Sequence, residues 1–253
     1  MDRNSSEHGR LSGRLAVITG ASRGIGRAVA CAFADEGAHV ILLARTVGGL
    51  EEVDDEIKSK GGSATLVPAD ITDFDALDRL GASIYERWGK LDILVGNAGI
   101  LGTLTPLGHI APKEWRRVID TNLTANWRLV RSLDPLLQKS DAARVIFVSS
   151  GVAQSHKAYW ATYAVSKAGL EALSGLYAAE NMKSPLCCNV INPGPMRTHM
   201  RAKAMPGEDP QKLPRPREVA PLFVELASPA YERTGDVIDY RAWRTAQNQG
   251  QDS

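Results

Sequence analysis

"RLAVITGASRGIGRAVACAFADEG", residues 14–37, decides the fold. Residues 14–19 form a short run rich in apolar and β-branched side chains, which suits a strand. Gly20, Gly24 and Gly26 follow. Ile25, Val29, Ala32 and Phe33 then recur at helical spacing, until Gly37 supplies a stop. Glycine has a use in such a turn, because a tight turn needs positive φ and a pyrophosphate must approach bare backbone. The helix N-terminus behind it offers unpaired N–H groups and a favourable dipole. A glycine turn without a ligand is the alternative. Its place between a strand and a helix favours dinucleotide binding.

The same alternation continues outward. "HVILLA" (39–44), "ATLVPAD" (64–70), "LDILVG" (91–96), "RVIFVSS" (144–150), "CCNVIN" (187–192) and "GDVIDY" (235–240) read as further strands, with amphipathic helices between them. Strands apolar throughout, separated by helices, predict a parallel sheet covered on both faces. With right-handed crossovers this gives a doubly wound α/β fold of the Rossmann-like type. No repeat or Pro/Gly/Ser linker divides the chain, so a single domain is expected over residues 13–243. The polar start, 1–12, reads as a flexible tail, and 244–253 as a polar C-terminal tail.

At 253 residues, with 43% hydrophobic and 23% charged residues, the chain is long enough to bury one sizeable core. A net charge of +1 without basic runs gives no footprint for nucleic acid. Cys31, Cys187 and Cys188 form no CxxC or Cys/His spacing, so no metal site is expected and buried free thiols in a reducing compartment are. The start carries no apolar run for a signal peptide or anchor, and no stretch spans a bilayer. A soluble cytoplasmic protein is the expectation.

In "AYWATYAVSKAGL" (158–170), Tyr163 stands four residues before Lys167, on the same face of a helix. An exposed face with one Tyr and one Lys is the plain reading. The alternative is an acid/base phenol whose pKa a neighbouring cation lowers from its usual ~10. Tyr177 has no such partner, and packing suffices for it.

Taken together, "TGASRGIG" (19–26), "GNAG" (96–99), "DTN" (120–122), "VSS" (148–150), "YAVSK" (163–167) and "NPGPMRT" (192–198) resemble the short-chain dehydrogenase/reductase family in order and spacing. The resemblance covers roughly residues 13 to 240. It implies an NAD(P)-dependent oxidoreductase moving a hydride to or from a carbonyl/secondary alcohol substrate. Tyr163 would be the general acid or base. Lys167 would lower its pKa and hold the nicotinamide ribose. Ser150, at the family's separation from Tyr163, would bond the substrate oxygen in preference to Ser149. Asn122 would kink a helix and hold a water beside Lys167; alone, it reads as a mid-helix Asn turned to solvent.

The resemblance also assigns the cofactor contacts. Thr19, Gly20, Ser22, Arg23, Gly24, Ile25 and Gly26 form the phosphate turn, while Asn97, Ala98 and Gly99 lie beside the adenosine half. Pro193, Gly194, Met196 and Thr198 match the nicotinamide loop, with Tyr163 and Lys167 contributing. Asp70 and Ile71 would meet adenine, although Asp70 reads equally well as a cap or turn residue. Ala44 stands where an acid would hold a free ribose 2′-hydroxyl, and Arg45 and Arg23 can grip a 2′-phosphate, so NADP(H) is favoured over NAD(H). Solvated surface charge is the alternative for both arginines.

Three departures from the family pattern stand out. Gly96 replaces a usual Asn, the C-terminal glycine pair is missing, and 199–216 forms a Pro/Gly-containing segment suited to a mobile lid. His156 and Trp160 flank the segment of Tyr163 and Lys167; lining the pocket is one reading of them, and ordinary packing or surface is the favoured one over a catalytic role. Spare apolar residues at 112–138 and 160–181, including Trp115, Trp127 and Leu176, together with the resemblance, imply a homotetramer, with a dimer next. A catalytically silent dinucleotide-binding regulator or scaffold is the alternative function. A nucleotide-sugar epimerase or dehydratase usually carries a longer chain.

Overall fold

The computed structural model describes residues 9–251. Seven strands, β1 (Leu15–Thr19), β2 (His39–Ala44), β3 (Ser63–Pro68), β4 (Ile93–Gly96), β5 (Arg144–Val148), β6 (Cys187–Asn192) and β7 (Val237–Asp239), form one sheet in the order β3-β2-β1-β4-β5-β6-β7. Every neighbouring pair is parallel. The chain order reverses between β1 and β4, which opens a crevice at the carboxyl ends of those strands.

Among the described residues, ten α-helices flank or follow the strands: α1 (Gly24–Asp35), α2 (Val47–Ser59), α3 (Phe74–Trp88), α4 (Pro112–Ile119), α5 (Ala125–Leu137), α6 (Val152–Ser155), α7 (Ala161–Glu180), α8 (His199–Ala204), α9 (Pro216–Ala227) and α10 (Tyr240–Gln251). Side chains alternate across the sheet, so two cores form. Ala16 and Ile18 of β1 face Val29, Phe33, Leu50 and Phe223 from α1, α2 and α9. Leu15 and Val17 face Leu77, Ile84, Leu133 and Leu170 from α3, α5 and α7. Each fully buried large side chain, such as Phe33 or Phe223, contributes about 1.5–3 kcal/mol. β3, at the edge, is half-exposed along its length and departs from the apolar-throughout expectation. Cys31, Cys187 and Cys188 are buried free thiols. No helix among the described residues is long and apolar enough to cross a membrane.

The folded part extends beyond the expected boundaries. Residues 1–8 of the expected tail lie outside the described residues, but Leu11 is completely buried and its N–H donates to the Glu36 carbonyl at 3.0 Å. At the other end, the segment expected to be a polar tail continues α10 to Gln251. Tyr240 and Trp243 stack at 6.0 Å, and the Trp243 indole donates to Glu225 of α9 at 2.9 Å. Two aromatic anchors three residues apart dock the helix, and the Gln/Asn-rich remainder makes its exposed face.

Beneath the sheet's amino end, Asp92 is wholly buried and accepts from the Leu15 N–H at 2.9 Å, Ser140 at 2.7 Å and Lys90 at 3.0 Å. The Arg14 guanidinium lies 3.9 Å away. Burial alone would raise this carboxyl, but the three bonds and the Arg14 charge hold it below the usual carboxylate range. The unfolded chain therefore takes up this proton first as the pH falls. The stabilisation is complete above the ordinary Asp pKa of ~4 and is lost as pH drops through the lower, folded value. Asp92→Asn should cost about 3 kcal/mol at neutral pH, the scale for breaking a buried charged pair, and should flatten the acid limb of stability. Urea unfolding across the acid range measures both.

Candidate active site

The glycine turn takes the form its sequence requires. Gly20 and Gly24 have φ of 67° and 59°, and a Cβ on Gly26 would run into the Gly20 carbonyl. Arg23 occupies the N-cap of α1 without a side-chain bond, and no acidic residue stands in the first turn. The first N–H groups of α1 are thus left for an anion. Ser22, Arg23, Gly24 and Ile25 line a cleft of about 1860 Å³ that runs on past Asn97, Ala98 and Gly99 to Tyr163.

Thr19 and Gly26 do not line this cleft; they build it. The buried Thr19 hydroxyl accepts from the N–H groups of Asn97 and Ala98, both at 3.0 Å, and donates to the Val95 carbonyl at 3.2 Å. The Asn97 amide returns a bond to the Thr19 carbonyl at 2.8 Å. Two loops from neighbouring strands are locked together at the switch point. Gly96 also gains an explanation, because any Cβ there would strike Asn126 and the Phe147 ring.

At the outer end, Ala44, Arg45, Asp70 and Ile71 share the wall with Arg23. Asp70 accepts from the Thr72 N–H at 2.9 Å and its hydroxyl at 2.7 Å, an Asx turn, and lies 3.6 Å from Arg45. Burial pushes its carboxyl up, but the Thr72 bonds and the Arg45 charge hold it below the usual range. Asp70 is a turn residue that also faces the cleft. No carboxylate follows β2, and two guanidiniums border this end.

At the inner end, Tyr163 and Lys167 are both buried on α7. Burial pushes the Tyr163 phenol up to about 12, partly offset by a hydrogen bond with Ser150. The Lys167 ammonium lies 5.7 Å from the phenol ring centroid and donates to the Val148 carbonyl at 2.6 Å. Burial brings Lys167 down to about 8, and Glu171 opposes that shift. In this arrangement burial is what chiefly sets the phenol, and the Lys167 ammonium is itself tied to a carbonyl. Ser149, Ser150 and Tyr163 all line the cleft, but the Ser149 residue is buried and its hydroxyl already donates to Glu171 at 2.6 Å.

Asn122 sits, completely buried, in a π-helical turn, Asp120–Thr124, between α4 and α5. Its amide accepts from the Ile100 N–H at 2.8 Å and donates to the Ile100 carbonyl and to Ser166, each at 2.9 Å. Ser166 in turn donates to the Tyr163 carbonyl at 2.7 Å. The solvent-facing reading of Asn122 is thereby replaced. A Cβ on Gly99 would lie 3.3 Å from Asn122 Oδ1 and 3.6 Å from Lys167 Nζ, so the loop closes directly on α7.

Pro193, Gly194, Met196 and Thr198 complete the wall. Gly194 has φ of 67°, and Thr198 caps α8 by accepting from the Arg201 N–H at 3.2 Å. Trp160 lines the cleft with its ring edge-on to Tyr163 at 6.2 Å, while His156 is exposed and away from the wall. Tyr177 donates to Asp134 at 2.6 Å, away from the cleft. Sequence reasoning missed Ser166 and Glu171. Both were within reach, at three and four residues from Tyr163 and Lys167 along one helix face.

The short chain dehydrogenase family model matches residues 14–209. An uncharacterised oxidoreductase of Escherichia coli, YciK, is 37% identical over 238 residues, covering 92% of this chain and 94% of that one. The 3-oxoacyl-(acyl-carrier-protein) reductase FabG of Vibrio harveyi is 34% identical over 237 residues, covering 90% and 96%. Among solved structures, a short chain dehydrogenase of Shigella flexneri complexed with NADP matches with a TM-score of 0.89 at 36% identity, covering 93% of this chain and 100% of that one. A serine, tyrosine and lysine gathered at the end of a glycine-lined cleft, in a chain with these relatives, place the protein in the short chain dehydrogenase family, as an NAD(P)-dependent oxidoreductase.

Proposed function

We propose that the protein transfers a hydride between NADP(H) and a carbonyl or secondary alcohol, with Tyr163 as general acid in reduction and general base in oxidation. The observation that carries this reading is the juxtaposition of Ser150, Tyr163 and Lys167 on one stretch of cleft wall. A silent dinucleotide-binding scaffold has no use for that trio. The cofactor supplies or accepts the hydride. The Ser150 hydroxyl orients the carbonyl oxygen and stabilises the charge that develops on it. The Tyr163 phenol, still protonated at neutral pH with its pKa near 12, gives its proton to that oxygen. Lys167, with its pKa near 8, is charged at neutral pH and favours the resulting phenolate. Asn122 and Ser166 hold the backbone at both sides of this exchange.

Tyr163→Phe should leave cofactor binding intact and lower turnover by at least ~100-fold, the lower scale for general acid–base catalysis. Lys167→Ala should weaken both cofactor affinity and rate. Steady-state assays of NADPH oxidation with a panel of ketones and diketones, alongside cofactor titration, test this. Unchanged turnover by the Phe variant would remove Tyr163 from its role.

The preference for NADP(H) follows from Arg23 and Arg45 and from Ala44 in the place of an acid. A dianionic phosphate between two guanidiniums gains paired hydrogen bonds that a hydroxyl cannot match. The Shigella flexneri relative, complexed with NADP, supports this reading. NADPH should bind more tightly than NADH in a fluorescence titration, and Ala44→Asp combined with Arg45→Ala should invert the order. Equal or tighter NADH binding by the unaltered protein would overturn the preference.

We also infer a homotetramer, with a dimer as the next assembly, acting in a reducing cytoplasm. Trp115, Trp127 and Leu176 lie exposed on α4, α5 and α7, at 36%, 46% and 64%, where a single chain gains nothing from them. The three free thiols fit the compartment. Light scattering at micromolar concentration should give four subunits; a monomer would sink the assignment.

A further inference from the structure

Around Tyr163 the cleft changes character. Leu101, Val152, Trp160, Met200 and Ala204 form the wall nearest the phenol, with Leu104 and Met205 packed behind them. These five wall side chains offer no hydroxyl, amide or carboxylate. With only the Trp160 indole N–H to pair with, a polyhydroxylated substrate pressed against them would leave most of its hydroxyls unpaired, at a cost of roughly 1–3 kcal/mol for each one desolvated. An alkyl chain loses nothing there. Two methionines and a leucine also adapt their shape to a flexible chain more readily than branched residues do.

The rim above this wall is cationic. Lys157 lies with its ammonium 4.7 Å from the Trp160 ring centroid, which places it over the same compartment. Lys203, on α8, lines the cleft, is exposed and has no ion-pair partner among the described residues. Arg201 is paired with Glu208 at 2.7 Å, and Glu208 is the anion whose field Lys157 also meets. Arg201 and Lys157 therefore share one carboxylate, and Lys203 has none among the described residues. Catalysis at the phenol does not call for this surplus, and the 2′-phosphate end of the cleft is separately supplied by Arg23 and Arg45.

We propose that the substrate is an amphiphile, whose apolar chain carries the carbonyl into the compartment of Leu101, Val152, Trp160 and Met200, and whose far end is a carboxylate or phosphate resting on Lys157 and Lys203. This deepens the oxidoreductase reading above and rests on it. Each added methylene that enters the wall leaves water, which is worth about a threefold gain in kcat/KM until the wall is filled. A single anionic end at a partly exposed rim adds a few-fold more at low ionic strength, and screening removes that gain as salt rises.

NADPH oxidation should be measured with straight-chain methyl ketones of increasing length, with a ketose, and with a long keto acid, carbonyl remote from its carboxylate, against its methyl ester. The expected result is a rise of about threefold per methylene, little turnover of the ketose, and the acid preferred to the ester by about threefold or more. Lys157→Glu with Lys203→Glu should reverse the acid-over-ester order, and Met200→Ser should flatten the chain-length slope. A flat slope in the unaltered protein, a preferred ketose, or an ester as good as the acid at low salt would overturn the proposal. If none of the carbonyls is reduced, the oxidoreductase reading fails instead. Calorimetric binding of the keto acid, its ester and shorter homologues to the same protein then decides the amphiphile question: absence of chain-length-dependent binding rejects it.

Discussion

Two hydrogen bonds between the Asn122 amide and the backbone of Ile100 hold the loop after β4 against the turn between α4 and α5. A side chain can do this from inside a helix only where the helical ladder is widened, and the π-helical turn at Asp120–Thr124 provides that place. The Asn122 carbonyl does not go unpaired, because Asn126 donates to it at 2.8 Å. From Asn122 the connection passes to Ser166 and on to the Tyr163 backbone. Gly99 is confined by the same contacts. The cleft's floor and the backbone of Tyr163 are thus one hydrogen-bonded unit, set on the first strands at one end by Thr19 and on α7 at the other.

That unit operates where burial and charge pull in opposite directions. The phenol and the ammonium both lose hydration, so the neutral forms gain on both. Ser150 offsets the effect on one side and Glu171 on the other. The balance keeps the phenol protonated and the ammonium charged at neutral pH. The Val148 carbonyl, by engaging Lys167 directly, fixes the cation's position rather than its strength.

The glycine turn and the Tyr163–Lys167 pair were legible because their chemistry depends on residue type at short spacing. Positive φ demands glycine at 20 and 24, and one helical turn brings 163 and 167 together. The strands were legible for the same local reason. Less legible was which motif residues touch the cleft and which stand behind it: Thr19 and Gly26 belong to the motif but serve as brace and clearance. Such roles are set by contacts between residues 78 apart, as for Thr19 and Asn97. The docking of Leu11 beneath Glu36 and of α10 on α9 was hidden by polar composition, since one or two apolar anchors suffice to order a polar segment. Gly96 looked like a lost residue, and its reason lay in two side chains, Asn126 and Phe147, supplied by other elements.

The order of the sheet also governs how the chain can assemble as it is made. β1, β2 and β3 leave the ribosome first and pair among themselves in sequence, so the phosphate turn can take shape early. The other edge of β1 then stays bare until β4 arrives, and each later strand adds outward on that side alone. A nascent chain therefore presents one apolar, unpaired strand edge throughout the second half of its synthesis, and parallel pairing across long crossovers closes it slowly. The half with the glycine turn is an early, local product, and the half that carries Ser150 and Tyr163 is a late one.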